Sequence, residues 1–388
     1  MKPRKRAPRQ MPMAVRCMLW GRAAGRCEFA GCNQSVSWHR ETKETVNTAE
    51  AAHIIGFSKD GPRGEEELSE KLARDISNIM LLCGNCHRQI DANRDQYSVG
   101  LLRKMKQDHE ERIELVTSIA PEQKSTIVLY GANVGEHSSP LSYEKAARAM
   151  FPDRYPTERI PIQLGLVNSS LRDHTAHFWQ TEAQQLRSLI DQRVRPRLSS
   201  GDITHLSLFG FAPQPLLMLF GFLFSDIPTA ETYQLHRDPP DWKWQPDPDQ
   251  YEFLVDRPAD TCGDAALVLA LSATITDKRV YDALGKQIGV WRIRTPEPHN
   301  DFLKSKGQLM AFQEAARRTL DQIKASHGEH AVIHVFPAAP VAVAVDFGRI
   351  IMPKADLPLR IYDENKKTGG FVHALDLDAG NRLSGASI

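Results

Sequence analysis

The residues of this chain best suited to chemistry are four cysteines that occur as two close pairs. Cys27 and Cys32 lie in CEFAGC, and Cys83 and Cys86 lie well downstream in CGNC. Two short-spaced pairs in distant segments match the ligand pattern of one tetrahedral zinc site. One Zn²⁺ ion bound to both pairs would hold the segments together, so a short module could fold without a large core. The pattern therefore predicts a structural zinc site.

Disulfide bonds are the alternative use of these cysteines, and the choice depends on the compartment. The N-terminal stretch MKPRKRAPRQMPMAVRCMLW is basic, but prolines and Arg16 interrupt the apolar run that a secretory signal needs. We therefore expect a cytoplasmic protein, and a reducing cytosol favours metal binding over disulfides. Cys17 and Cys262 are isolated in the sequence, so we expect idle or buried thiols there.

Three further residues follow the cysteines in a specific order. His53 lies on a short apolar run, Asn78 just precedes the apolar MLLC, and His87 directly follows the second cysteine pair. A closed four-thiolate site has no open coordination position, so catalysis would have to come from these residues. With this order of elements, the chain resembles the HNH (ββα-metal) nucleases from about Cys27 to Glu110.

The resemblance to HNH nucleases implies a role for each of the three residues. His53 would be the general base, and His87 would bind a catalytic Mg²⁺ or Mn²⁺ ion. Asn78 would either bind that ion or orient the ring of His53. These roles suit phosphodiester hydrolysis, which needs a base for the water and a cation to neutralise charge on the phosphate and leaving oxygen. A neutral imidazole can act as the base near pH 7.

One position departs from the HNH pattern. Many HNH nucleases carry an Asp or His metal ligand immediately before the base, but here that residue is Ala52. Glu50, Asp91 or water would then have to complete the coordination of the ion. The alternative interpretation is a zinc module that binds DNA without cutting it.

The distribution of charge suggests where nucleic acid would bind. The net charge is only +1, so overall basicity is not the means of attraction. Eight Lys or Arg residues nevertheless precede Glu28 without a single acid. This stretch is either a solvated tail or an arm that contacts phosphates, and an arm would make binding depend steeply on salt. The candidate DNA contacts are Arg4, Lys5, Arg6, Arg63 and Arg88.

The length and composition predict a soluble globular protein of two or three domains. A helix is expected from about Ser98, with an apolar stripe at three- and four-residue spacing. The stripe consists of Leu101, Leu102, Met105, His109, Ile113 and Val116. The segment APEQKST after it has the composition of a linker. We therefore predict an HNH domain with its basic arm over residues 1–119, a linker over 120–126 and a second domain over 127–388.

The second half of the chain has the pattern of an α/β domain. The strands TIVLYG, ITHLSLFGF, AALVLALSAT and AVIHVF lack polar alternation, which indicates sheets covered on both faces. The most apolar stretch, from Phe209 to Phe224, contains two prolines and is too broken to cross a membrane, so we expect no membrane partner.

This half also contains two stretches with the same layout. HLSLFGFAPQPLLMLFGFLF is followed by TYQLHRDP, and AVIHVFPAAPVAVAVDFGRII is followed by LRIYDEN. In each, a strand leads through an Ala-Pro loop into an apolar helix, then to a glycine (Gly221, Gly348) and a strand that carries tyrosine. We interpret them as two Rossmann-like units within one domain. The alternative is that the two stretches are alike only by chance, through the turn residues that α/β domains generally have.

No catalytic motif is visible after Thr126, which favours a binding role. Open α/β sheets bind ligands beyond the carboxyl ends of their strands. Basic residues and helix N-termini suit an anionic ligand, and Trp242, Trp244 or Tyr233 could stack a base. The predicted ligand contacts are Pro213, Gln214, Trp242, Ser272, Thr274, Lys304, Lys306, Phe336 and Pro337.

The second half resembles the SAVED domain, a fusion of two CARF-like Rossmann units that senses cyclic oligonucleotides. The resemblance rests on ALVLALSAT, KSKGQLMAFQEAARRTL and IHVFPAAPVAVAVDFGRIIMPK running into IYDE, and it covers about Ser125 to Leu377. It implies an α+β zinc-braced HNH (ββα-metal) domain followed by an α/β SAVED domain made of two fused CARF/Rossmann-like units. HNH and SAVED in this order resemble the effector nucleases of bacterial CBASS anti-phage systems.

The resemblance to these effectors implies a regulated DNA endonuclease. The nuclease would stay idle until a cyclic dinucleotide, made by a partner cyclase, binds the SAVED domain. It would then form a homo-oligomer, at least a dimer and by preference a tetramer, and degrade double-stranded DNA. Two alternatives stay open: a modification-dependent HNH restriction nuclease, and a ligand-sensing DNA-binding regulator that never cuts.

Overall fold

The computed structural model describes two compact units, residues 1–120 and residues 121–388, each with its own core. The described residues are 11–39, 41–133, 141–165, 176–227, 229–248, 250–365, 367 and 369–378. Within the segment expected to be a linker, 120–126, a 3-10 turn spans Pro121–Gln123 and a strand already begins at Lys124. That strand starts early because its first two residues pair with Tyr155 and Pro156.

The first unit is built around a β-hairpin and the helix that follows it. Its elements are α1 (Met13–Arg22), β1 (Ala49–His53), α2 (Leu68–Leu72), β2 (Ile79–Cys83), α3 (Gly84–Ala92) and α4 (Val99–Thr117). The strands β1 and β2 are antiparallel, and His53 pairs with Ile79. All five residues of β2 are buried, so this strand is the centre of the unit's core. The order β1, β2, α3 is the ββα arrangement that the sequence predicted.

The helix α4 begins where it was predicted, and its buried face includes Leu102 and His109 of the predicted stripe. Its N-cap is Ser98, whose hydroxyl accepts a hydrogen bond from a backbone N–H of the first turn. The buried residues are Leu102, Lys106 and His109, whereas Leu101 is exposed. Leu101 was therefore wrong as a buried residue, and Lys106 was missed: its ammonium group is buried 3.6 Å from the carboxylate of Glu28. The core-facing side of α4 thus includes a buried ion pair, which hydrophobicity alone does not predict.

The second unit contains two mostly parallel sheets with helices around them. Its first elements are β3 (Lys124–Gly131), α5 (Tyr143–Met150), β4 (Tyr155–Pro156), β5 (Ile162–Gln163), α6 (Ala176–Arg193), α7 (Arg195–Ser199), β6 (Leu206–Phe211), α8 (Gln214–Leu223) and β7 (Ala230–Thr232). Its remaining elements are β8 (Leu254–Asp256), β9 (Ala265–Ala270), α9 (Asp277–Leu284), β10 (Gly289–Arg294), α10 (Lys306–His327), β11 (Ile333–Ala338), α11 (Val341–Arg349), β12 (Leu359–Glu364) and β13 (Phe371–Leu377).

The strand order confirms the α/β prediction. The first sheet has the order β4-β3-β6-β7, with β5 also paired to β3, and the second has the order β13-β12-β11-β9-β10-β8. The central pairs are parallel, and the edge strands β8 and β13 are antiparallel to their neighbours. Every residue of β9 is buried, as expected for a strand covered on both faces. None of the helices in the described ranges is long and apolar enough to cross a membrane.

The two repeated stretches form equivalent strand–helix–strand units, and their helices pack through glycine. A Cβ atom built on Gly221 of α8 would lie 1.7 Å from the carbonyl oxygen of Val345 in α11. Reciprocally, a Cβ on Gly348 of α11 would lie 1.9 Å from the carbonyl oxygen of Met218 in α8. Each contacted residue is three positions before the partner helix's glycine. The two helix backbones are therefore in direct contact, and the two halves make this contact in the same way.

Candidate active site

The four cysteines form one cluster, as the sequence predicted. Their sulfur atoms all lie within 4.8 Å of one another, with Cys27 and Cys83 buried and Cys32 and Cys86 partly buried. Four thiolates around a common Zn²⁺ ion at 2.3 Å would be about 3.8 Å apart, so the donor set fits this ion. Burial raises the pKa of the Cys27 thiol to about 12, a cost that a bound cation would reverse by favouring the thiolates. Among the described residues this is the only such cluster of three or more metal-ligand side chains.

His53 lies at the end of β1 with its ring held from two sides. Its Nε2 lies 3.0 Å from the carbonyl oxygen of Ala73, and its ring packs edge-on against Phe57 with centroids 5.4 Å apart. Because a carbonyl oxygen can only accept a hydrogen bond, we assign the proton to Nε2. The lone pair is then on Nδ1, which is the nitrogen available to accept a proton from water.

Asn78 fixes the chain segment that follows His53. Its Oδ1 accepts a hydrogen bond from the backbone N–H of Ile55 at 2.8 Å, and its Nδ2 donates to the carbonyl of Ile55 at 2.9 Å and of Leu72 at 3.3 Å. The side chain is buried, and its polar atoms are used on the backbone. Of the two roles that the resemblance implied, this geometry contradicts metal binding and agrees with positioning of the base.

Replacing Asn78 with alanine should therefore destabilise the first unit and lower its activity. The substitution leaves the buried backbone groups of Ile55 without partners, at a cost of about 1–3 kcal/mol for each group. Thermal unfolding and cleavage should be measured together, with Asn47→Ala as the control because that side chain accepts a hydrogen bond from the local, exposed N–H of Ala49. Wild-type stability in Asn78→Ala would contradict this role.

His87 lies on α3 between two carboxylates. Its Nδ1 is 2.5 Å from Oε2 of Glu50 on β1, and its Nε2 is 3.5 Å from Oδ2 of Asp91, one helical turn later. Imidazole nitrogen and carboxylate oxygen are donors that divalent cations accept. Ala52, at the position that often holds a ligand, is buried and cannot replace them. The structure thus gathers around His87 the two acids that the sequence offered as substitutes.

The arginine predictions have three different outcomes. Arg63 is wrong as a DNA contact: its side chain is only 7% exposed, and its guanidinium is taken up by groups of the protein. Arg88 is exposed and donates to the side chain of Asn85 at 2.6 Å, so its contact with phosphate stays a prediction. Arg4, Lys5 and Arg6 lie outside the described residues.

In the second unit, the two lysines expected to bind an anion already have acidic partners. Lys306 pairs with Asp153 at 2.7 Å and also with Glu231. Lys304 pairs with Asp301 at 2.5 Å. Asp153 and Glu231 are remote from Lys306 in the sequence, whereas Asp301 is only three residues from Lys304, and ligand contact at either lysine stays a prediction.

A carboxylate also occupies the N-terminus of α10, where we expected an anion. Ser305 and Gln308 form a capping box there. A Cβ on Gly307 would lie 2.4 Å from Oδ1 of Asp247, so this carboxylate lies against the first helical turn. The positive end of the helix is thus already compensated by an acid of the same chain.

The aromatic rings expected to stack on a ligand belong to the core. Trp242 is buried and packs edge-on against Phe209, and Tyr233 stacks on the same ring at 4.4 Å. Phe336 is also buried and stacks on Tyr362 at 4.6 Å. The proposed roles of Trp242 and Phe336 as ligand contacts are therefore wrong for this structure, because other side chains cover their faces.

The remaining candidates at the strand ends differ in exposure. Pro213 and Pro337 are buried. The Oε1 of Gln214 accepts a hydrogen bond at 3.0 Å from a backbone N–H in the loop after β11, so it links the two Rossmann-like units. Ser272 is half-buried and Thr274 is exposed, and both stay predictions.

A cavity of about 660 Å³ lies at the carboxyl end of β10. It is lined by the predicted contact Lys304 and by residues that sequence reasoning missed, including Thr295, Phe302 and Gln308. Thr295 is buried, and its hydroxyl has no hydrogen-bond partner among the described residues. Its place directly after a buried strand was the available signal, since such positions face the ligand side of an open sheet.

Comparisons with known proteins agree with this division of the chain. Residues 27–94 match the family model of the HNH endonuclease. Residues 186–377 match the model named SMODS-associated and fused to various effectors sensor domain, abbreviated SAVED. No curated protein matches the chain at a significant level.

Among solved structures, the chain is similar to the Cap4 SAVED/CARF-domain containing receptor of Acinetobacter baumannii. The complex with the cyclic trinucleotide 2'3'3'-cAAA is 14% identical over 81% of this chain and 67% of that chain, with a TM-score of 0.42. The complex with 3'3'3'-cAAA is 16% identical over 81% and 68%, with a TM-score of 0.43. A third structure of this receptor is 14% identical over 81% and 66%, with a TM-score of 0.41. All three similarities are distant.

The family models thus cover the zinc cluster, the histidines and most of the two-unit sensor fold. One part of the chain carries the groups for phosphodiester hydrolysis, and the other carries a ligand-sensing fold. The chain therefore combines an HNH endonuclease domain with a SAVED sensor domain.

Proposed function

We propose that this nuclease cuts double-stranded DNA with the help of Mg²⁺ or Mn²⁺, and that a cyclic dinucleotide bound to the SAVED domain activates it. The catalytic part of the proposal is supported by two imidazoles of one ββα unit: His53 is held by the carbonyl of Ala73, and His87 lies between two carboxylates. Both are held by the zinc-braced ββα unit, which gives hydrolysis its base and its candidate ion site.

His53 accepts the proton of the attacking water on Nδ1. Its Nε2–H stays bonded to the carbonyl of Ala73, which stabilises the imidazolium that forms. Asn78 keeps the segment after His53 in place, so the ring does not need to be reoriented during the reaction. The carboxylate of Glu50 and Nδ1 of His87 would hold a divalent cation, with Asp91 orienting the ring from Nε2, and the cation would neutralise charge on the scissile phosphate and the leaving oxygen.

Two groups at the cavity after β10 favour a nucleotide in the sensor domain, against the opposing charge of Glu252 and Glu297, which also line it. The Thr295 hydroxyl is buried without a partner in the described ranges, and Lys304 could exchange Asp301 for a phosphate. A ligand can activate a remote site only if it binds the active arrangement more tightly than the idle one. One HNH site cuts one strand, so cutting both strands requires at least a dimer, and we favour a tetramer.

Plasmid cleavage with and without cyclic nucleotides tests this proposal. The purified protein is incubated with supercoiled plasmid and Mg²⁺ or Mn²⁺, with cyclic dinucleotides and trinucleotides that differ in base and linkage, or with the matching linear nucleotides. We expect fragmentation with a cyclic dinucleotide only, and light scattering should show larger particles under the same conditions. The cell compartment for this activity would be the cytoplasm, with a partner cyclase as the source of the ligand.

The other outcomes identify the alternatives. A monomer that is fully active without nucleotide would overturn the regulatory model. Cleavage of modified DNA alone, without nucleotide, would point to a restriction nuclease. Binding of DNA without cleavage under any condition would point to a regulator.

A further inference from the structure

The guanidinium of Arg63 joins the two halves of the candidate active site. Its Nε donates to the carbonyl of Ile54 at 2.9 Å, and its Nη2 lies 3.4 Å from the carbonyl of His53. Its Nη1 donates to the carbonyl of Ile90 at 2.9 Å, and its Nη2 also binds Oδ1 of Asp91 at 3.1 Å. One buried cation thus connects the end of β1 with the last turn of α3.

The loop that carries Arg63 is built to bring this side chain back under β1. A Cβ on Gly56 would lie 2.5 Å from the carbonyl oxygen of Pro62, and a Cβ on Gly64 would lie 2.3 Å from that of Ser58. Arg63 itself has a φ of +56°, in the left-handed region that costs a non-glycine residue free energy. The loop therefore accepts backbone strain at the residue whose side chain makes these four contacts.

The contact with Asp91 continues to the candidate ion site. The oxygen of Asp91 that does not contact Arg63 is 3.5 Å from Nε2 of His87, and the other ring nitrogen of His87 contacts Glu50. Glu50 lies on the same strand as His53. Arg63, Asp91, His87 and Glu50 thus form a closed series of contacts that starts and ends on β1.

We propose that Arg63 is a positioning residue. It holds β1, which carries His53, in place relative to α3, which carries His87, and it acts on the ion through Asp91. The Ile90 carbonyl is in the last turn of α3, where carbonyls lack partners within the helix, so Arg63 also completes the helix end. A lysine would keep the positive charge, but its single ammonium group could not donate to all four acceptors, which the several N–H groups of a guanidinium can do. This inference rests on the proposed function, because it assumes that His53 and His87 act together.

The test measures Mn²⁺ binding to the zinc-loaded full-length protein by titration calorimetry or electron paramagnetic resonance, without DNA. Arg63→Lys and Asp91→Asn should each weaken Mn²⁺ binding by about 10-fold or more, the usual effect of losing a partner that orients a metal ligand. The double variant should be no weaker than the weaker single variant, because both substitutions interrupt one path. Lys59→Gln is the control: it removes an exposed cation from the same loop and should bind Mn²⁺ like wild type.

Cleavage measurements then separate this inference from the proposed function. At low Mg²⁺ the two variants should lose most of their activity, and raising the Mg²⁺ concentration should restore much of it. Wild-type Mn²⁺ binding in both variants, or fully additive losses in the double variant, would overturn the inference. Loss of zinc from Arg63→Lys would also overturn the inference, because Arg63 would then stabilise the fold as a whole and not the ion site in particular. Cleavage by His53→Ala at the wild-type rate would instead contradict the proposed function.

Discussion

Alanine in place of His53 should abolish DNA cleavage while the protein keeps its zinc and its fold. The substitution removes the imidazole that takes the proton of water, and general base catalysis contributes about 100- to 10,000-fold to the rate. The ring is half-buried at the end of β1, outside the cysteine cluster, so its loss should change stability little. The measurement is plasmid cleavage at saturating nucleotide and cation, with zinc content and thermal unfolding determined on the same preparation.

A matched control for this variant is His39→Ala. His39 is an exposed histidine of the same unit, and its Nδ1 accepts a hydrogen bond from the backbone N–H of Thr42 at 3.3 Å. We expect wild-type cleavage from it. Equal activity in His53→Ala and wild type would remove His53 as the base, and equal loss in both variants would indicate a general defect.

Serine in place of Cys83 should unfold the first unit. A structural Zn²⁺ site contributes roughly 10 kcal/mol or more to small zinc domains, and removing one thiolate loses much of this. Cys83 is also the last residue of β2 and the N-cap of α3, so the ion stabilises the junction between the elements that carry the site. Zinc content, limited proteolysis and circular dichroism should show loss of the ion and cleavage within residues 1–120, whereas the second unit, with its own core, should resist.

Cys17→Ser provides the control for the zinc prediction. Cys17 is exposed and lies outside the cluster, so its substitution should leave zinc content and proteolysis unchanged. A Cys83→Ser protein with a full equivalent of zinc and the wild-type proteolysis pattern would show that the cluster does not brace the fold.

Features that depend on local spacing could be predicted from the sequence. The cysteine pairs, the Ser98 cap of α4 and the buried strands each have a signal within a few residues, and the structure contains all of them. The repeated layout was also recognisable, because Gly221 and Gly348 have the same place in two similar strings. In these cases the physical cause and the pattern lie in the same short segment.

Features that depend on partners far away in the sequence could not be predicted. Lys306 was predicted to contact an anionic ligand, and its pairing with Asp153, 153 positions away, could not be foreseen. Trp242 was expected to face a ligand, but the fold covers it with Phe209. Arg63 beside a catalytic motif suggested DNA binding, and only the closure of its loop reveals that its donors point inward. Hydropathy and charge do not contain this information.

The reciprocal glycine contact between α8 and α11 has a consequence for what the sensor can recognise. Two identical subunits related by a twofold axis offer a ligand the same groups twice. Here the equivalent halves meet as such subunits would, yet they belong to one polypeptide and differ in sequence. Each half can therefore have its own contacts with a ligand while the glycine contact between α8 and α11 is kept. A fused pair of this kind can offer different groups to two unlike nucleotides of one ring, whereas a symmetric homodimer must offer the same groups to both.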